Sequence, residues 1–224
     1  MAALLEMPAV RARVHRMSVA EYHRAGETGL LSADVELLRG IVVTKMPQSP
    51  LHELVLQKWM KRLLAQVPNG FDVRREGPLT LRDSEPEPAL SVVRGVADDW
   101  ATAHPSTAHL VVEVAVSSVP LDEGKAEIYA EAGLLEYWLV RPQDRAVDVY
   151  RKPAKQGYLS RTTFADTEYL RCQSIPEIEL MLAAIRPAPG PEPTFTIIAV
   201  PLCVLRGSLP GPVGGGLPGR HVPG

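Results

Sequence analysis

Four separated stretches carry the residues that could do chemistry. They are VELLRG with Glu36, SEPEPALSVVRG with Glu85 and Glu87 before a strand, HLVVEVAVSS with Glu113 inside an apolar strand, and PLDEGKAEIYAEAG with Lys125 at the start of a helix. Glu113 is the most informative. Val111, Val112, Val114 and Val116 surround it at both parities of an extended chain, and burying an unpaired carboxylate is costly. Such a group needs a partner, either a metal ion or a lysine. The plainer alternatives are that Glu113 faces solvent on an edge strand or simply pairs with Lys125. His52 could contact substrate or a carboxylate, or could sit half-exposed in a capping role in the first turn of its helix.

These residues must be positioned by elements that the pattern makes visible. Ser18 and Glu21 have the spacing of a capping box, with Met17 placed as a staple, and predict a short helix to about Gly26. VELLRGIVVT reads as a hairpin turning at Arg39-Gly40. Ser49 and Pro50 start a long helix, in which Leu51, Leu54, Val55, Trp59, Leu63 and Leu64 recur at helical spacing. Strands are expected at 71–75, 79–82, 90–94 and 109–116, the last apolar enough to be central. A helix over about 123–132, stopped by Gly133, leads into the strands EYWLVRP and AVDVYRK. This order predicts an α/β or α+β domain, a mixed sheet covered by helices. Trp59 and Trp138 lie on apolar faces and read as core before base-stacking platforms, while Lys58, Lys61 and Arg62 form a solvated face or a track for phosphates.

Composition narrows the classes. The 224 residues, 46% hydrophobic and 22% charged, can bury one sizeable core. A net charge of -2 gives no global basic field, so contact with nucleic acid would be local. Cys172 and Cys203 have no metal-ligand spacing, which fits a reducing compartment. The N-terminus lacks a secretory pattern, and no apolar run reaches the roughly 18 to 20 residues of a membrane span. A cytoplasmic protein is expected. Residues 1–16 read as an N-terminal extension, 17–185 as the folded domain, and 186–224 as a Pro/Gly-rich, mostly disordered tail with an apolar island, TFTIIAVPLCVL.

Taken together, MSVAEYHR, VELLRGIVV, MPQSPLHE, SEPEP followed by LSVVRG, LVVEVAVSS and LDEGKAEIYAEAGLLEYWLV resemble the Uma-type restriction endonucleases of the PD-(D/E)xK nuclease superfamily. The likeness runs unbroken from about Met17 to Lys152, continues through GYLSRTTFADTEYL, and fades beyond about Ile175. It implies a restriction endonuclease-like fold, DNA as substrate, and one or two Mg²⁺ (or Mn²⁺) ions. The ions would activate a water and neutralise charge on the phosphate being cut. By the same resemblance Glu113 is the strand metal ligand, Glu36 the outlying acidic residue, and Lys125 the lysine, because the position two after Glu113 is Ala115.

The family pattern has proline then aspartate where this chain has Pro88 and Ala89. A methyl group cannot bind Mg²⁺, so impaired hydrolysis is expected. Glu87, two residues earlier on the same face of an extended chain, is the candidate substitute ligand. The alternative is a catalytically inactive protein that keeps the fold for nucleic-acid binding or dimerisation, and a third reading is a decaying gene product. A homodimer is the simplest arrangement for cutting both strands of a duplex.

Overall fold

A computed structural model describes residues 7–184. The expected tail, its apolar island and Cys203 lie outside the described residues. The chain opens with a helical turn, α1 (Pro8–Arg11), and α2 (Val19–Glu27), whose Ser18 and Glu21 form the expected capping box. The hairpin follows as β1 (Val35–Leu38) and β2 (Ile41–Thr44), with Leu38 opposite Ile41 across a two-residue turn. Arg39 and Gly40 both have positive φ, 51° and 75°, as a tight hairpin matched to strand twist requires. Gly40 has a second constraint, since a Cβ there would meet the Arg16 Cβ at 2.6 Å.

The long helix α3 (Pro50–Leu64) is capped by Ser49, whose side chain accepts from the His52 N–H. Six strands then form the main sheet: β3 (Phe71–Arg75), β4 (Leu90–Arg94), β5 (Leu110–Val114), β6 (Glu136–Arg141), β7 (Ala146–Ala154) and β8 (Gly157–Ala165). They lie in that spatial order, and all neighbours are antiparallel except β5 and β6. A parallel pair needs a crossover, and α4 (Val119–Glu131) provides it. A small ladder of β9 (Tyr169–Arg171) and β10 (Glu179–Met181) closes the described chain.

Alternation along the strands splits the core. One face, with Val112, Val114, Trp138 and Val140, packs on Val55, Trp59 and Leu63 of α3; the Trp59 and Trp138 rings meet edge-on at 6.0 Å. Both tryptophans are core, as the apolar faces they lie on implied. The other face, with Val111, Tyr137, Leu139 and Tyr150, packs on Ala126, Ile128 and Tyr129 of α4. The result is a mixed α+β domain in which β5 is an interior, fully buried strand.

Two expectations need correction. Residues 79–82 form no strand: Leu79 and Leu81 are buried, which explains the strand-like pattern, but their N–H groups bond locally to Pro86 and Ser84 carbonyls. Prolines 78, 86 and 88 cannot donate to a ladder, and the segment folds back on itself. Helix α4 begins at Val119, four residues before the expected Glu123, with Pro120 in its first turn. Proline there loses no hydrogen bond that a helix start could have made.

Candidate active site

Glu113 leaves β5 on the α4 face, one residue before the strand ends. Its side chain is 7% exposed and its environment is saturated with partners. Oε2 accepts the Ala89 N–H at 3.0 Å, while Oε1 accepts from Lys125 Nζ at 3.1 Å and from the Tyr129 hydroxyl at 3.2 Å. An edge strand facing water is excluded by the sheet order, and pairing with Lys125 is what is observed.

Lys125 is the hub. It rises from the second turn of α4, and its ammonium lies 3.0 Å from Glu36 Oε1, 3.1 Å from Glu113 and 3.7 Å from Asp122 Oδ1. Glu36 reaches it from β1, whose four residues are all buried. Glu36 Oε2 also accepts the Glu87 N–H at 3.2 Å, which ties the hairpin to the segment leading into β4. Asp122 stands one turn before Lys125 on α4 and accepts from Ser118 Oγ.

Three buried carboxylates around one ammonium leave surplus negative charge. Burial, with the charge of Asp122, pushes the Glu113 carboxyl above its ordinary range against the opposing pull of Lys125. Burial likewise raises Asp122, aided by Glu36. For Lys125 burial acts to lower the pKa, but Glu113, Glu36 and Asp122 together outweigh it and hold the ammonium above its ordinary value.

Around this hub is an open cavity of about 640 Å³. Glu36, Glu87, Ala89, Glu113, Lys125 and His52 all line it, so residues spread over ninety positions of sequence meet in one place. Glu87 is held by Lys45 Nζ at 2.8 Å. His52 is half-buried, its N–H satisfied by Ser49 and its ring Nδ1 without a protein partner. Burial lowers its pKa despite nearby carboxylates, which favours the neutral ring. Glu85 goes elsewhere: its carboxylate turns away to His23 and Thr80.

The sequence reading missed Asp122, Tyr129 and Lys45. Asp122 was concealed by the late helix start, although Ser118 followed by Pro120 was a signal for an earlier one. Tyr129 lies one turn beyond Lys125 on the same helix face, a spacing that could have marked it. Lys45 follows a strand end, where nothing local singles it out.

All the donors here are carboxylate oxygens, which suits a hard cation. Their placement does not. Among the described residues no group of three or more His, Cys, Asp or Glu is set to hold a metal ion. Glu36, Glu113 and Asp122 converge on an ammonium, Glu87 is engaged by Lys45, and Ala89 brings no oxygen to its position beside Glu113. As they stand, these residues do not fit a divalent-metal centre.

Comparison with known proteins adds the following. The model of the Uma2 family, described as "Putative restriction endonuclease", matches residues 19–184. No curated protein matches the chain. Among solved structures, a putative nuclease belonging to DUF820 from Anabaena variabilis is similar, with a TM-score of 0.59 and 16% identity. The superposition covers 71% of this chain and 95% of that one, and at such identity the likeness concerns the fold alone. Among the described residues no helix is long and apolar enough to cross a membrane.

Proposed function

This chain belongs to the Uma2 family, and from that premise we propose that it is a metal-dependent DNA endonuclease whose phosphodiester hydrolysis is impaired at one position, Ala89. The observation that carries this reading is the contact between the Ala89 N–H and Glu113 Oε2 at 3.0 Å. It puts side chain 89 on the wall of the same cavity as Glu36, Glu113 and Lys125. An aspartate there would add an oxygen donor beside Glu113. Without it, binding of Mg²⁺ or Mn²⁺ is weakened, since a hard cation needs several oxygens in fixed places.

Residue roles follow from position. Glu113 and, where it releases Lys45, Glu87 are the remaining ligand candidates, with Ala89 the place of the missing third. With an aspartate restored at position 89, a cation held there would supply charge neutralisation at the phosphate and an activated water. Lys125 holds the carboxylates in place and presents a fixed positive charge, Glu36 anchors it from the hairpin, and neutral His52 at the rim can accept or donate one hydrogen bond to substrate. A symmetric dimer that cuts both strands belongs to the same proposal.

The test is nicking of supercoiled plasmid with Mg²⁺ or Mn²⁺ by the full chain, by Ala89→Asp and by Ala89→Asp/Glu113→Ala. The expected result is a gain on the order of a hundredfold in Ala89→Asp, the scale on which misplaced catalytic groups cost rate, abolished in the double variant. Equal cutting by the parent and Ala89→Asp would overturn the impairment. Saturation of the carboxylates by Lys125 favours a second reading, a non-catalytic protein that keeps the fold for nucleic-acid binding or association. That reading is left standing if a folded Ala89→Asp does not cut.

A further inference from the structure

A second groove of about 870 Å³ adjoins the acidic cavity and shares Ala33 and Glu87 with it. We infer that this groove is a nucleobase subsite, selective for bases that carry an exocyclic amino group; the inference rests on the nuclease reading for the identity of the ligand. The supporting geometry is a pair of imidazoles in opposite hydrogen-bonding states. His23 Nε2 lies 2.8 Å from both oxygens of Glu85, whose side chain is 6% exposed and also accepts the Thr80 hydroxyl at 2.7 Å. A carboxylate only accepts, so Nε2 carries a hydrogen, and in the neutral ring Nδ1 is then an acceptor on a side chain that is 44% exposed. His104 is set the other way. Arg74 Nη2 lies 3.3 Å from its Nδ1, a guanidinium only donates, and Nε2 therefore keeps the hydrogen.

The charge of the groove decides what enters. Glu27, Glu85 and Glu87 line it with no lysine or arginine among the lining residues. Such a surface repels phosphate but accepts an uncharged, donor-rich edge. With Glu85 engaged by His23 and Thr80 and Glu87 by Lys45, the imidazole acceptor is the group that suits the amino groups of cytosine, adenine or guanine, whereas thymine and uracil have a single ring N–H. Because Glu87 belongs to both cavities, a base seated here would be attached to a nucleotide close to the phosphate presented to Glu113.

Trp100 makes the proposal measurable without any cleavage. It lines this groove, half-buried, whereas Trp59 and Trp138 are 1% and 0% exposed. Titration of the full chain with 2′-deoxycytidine, 2′-deoxyadenosine or thymidine, followed by red-edge-excited tryptophan fluorescence, should give a saturable change for the first two. Thymidine should bind about tenfold more weakly, the equivalent of one lost hydrogen bond. Trp100→Phe should remove the signal. His23→Gln keeps a donor for the buried Glu85 but loses the ring acceptor, so it should weaken binding roughly five- to tenfold while the melt stays cooperative. No saturable change with any nucleoside, equal affinity for thymidine, or a signal that survives in Trp100→Phe would each overturn the inference. A failure of Ala89→Asp to nick plasmid would bear on hydrolysis and leave this binding result as it stands.

Discussion

Two buried ionic clusters share one face of the sheet and behave in opposite ways. Glu113 on β5, Leu139 on β6, Asp148 on β7 and Thr163 on β8 are successive partners across the strands, so their side chains stand in one row. At one end of this row Asp148, 0% exposed, is met by Arg141 at 2.8 Å, Arg161 at 2.9 Å and the Thr163 hydroxyl at 2.6 Å. Burial alone would raise its pKa, but these three partners outweigh it and hold the carboxyl below its ordinary range. At Glu113 the ratio is reversed, with three carboxylates sharing one lysine, and the carboxyl is pushed up. The first cluster neutralises a buried charge and is finished. The second is left with surplus negative charge at the floor of a cavity, the condition under which a folded chain can still take up a proton.

Removing the hub should have the larger effect on stability. Lys125→Ala leaves three carboxylates buried with no counter-charge, and a loss of about 3 to 5 kcal/mol is expected in urea unfolding. A loss below about 1 kcal/mol would mean that water already reaches the cluster, which would break the contrast. Asp148→Ala removes the acid from two arginines whose side chains are 20% and 46% exposed and can turn to solvent. Its expected cost is about 1 to 3 kcal/mol. Should it exceed that of Lys125→Ala, the two clusters have been ranked the wrong way round.

The smallest effect is a pH dependence. A carboxyl whose native pKa lies above its ordinary value binds protons more readily in the folded than in the unfolded chain. Glu113 therefore contributes stability that is present below its ordinary value of 4.5 and lost as pH rises towards the raised native value. Glu113→Gln lacks this term. Measured as the difference between variant and parent, stability should shift in favour of the variant as pH rises from about 4 to about 8. A difference that is flat across this range would show that folding does not raise the Glu113 pKa. His52, whose lowered pKa makes the fold less stable as pH falls, adds to this shift in the same direction, because Glu113→Gln removes a carboxylate that raises the His52 pKa.

Much of the positioning was legible before any coordinates. The capping box at Ser18, the two-residue turn at Arg39-Gly40, and Ser49-Pro50 at the head of α3 are local patterns, and each formed where its residues predict. The strand at 79–82 misled because burial of Leu79 and Leu81 mimics a strand where the prolines around it forbid a ladder. Asp122 was missed because the helix was expected to begin at about Glu123, although Ser118 followed by Pro120 marks its earlier start.

The sequence by itself determined the family, the covering of a mixed sheet by helices, the acid within an apolar strand, and the methyl group at position 89. Each depends on residue type and near-neighbour spacing, which set backbone dihedrals and the period of burial. Only the tertiary structure decided that Glu36, Glu113 and Asp122 all reach one ammonium, that Glu87 is engaged by Lys45, and that Glu85 turns to His23 instead. These partnerships depend on which strands pair in which register and on the crossover helix returning Lys125 to the end of β5. Long-range pairing of that kind is settled by packing the whole core at once, and no short stretch of the chain contains it.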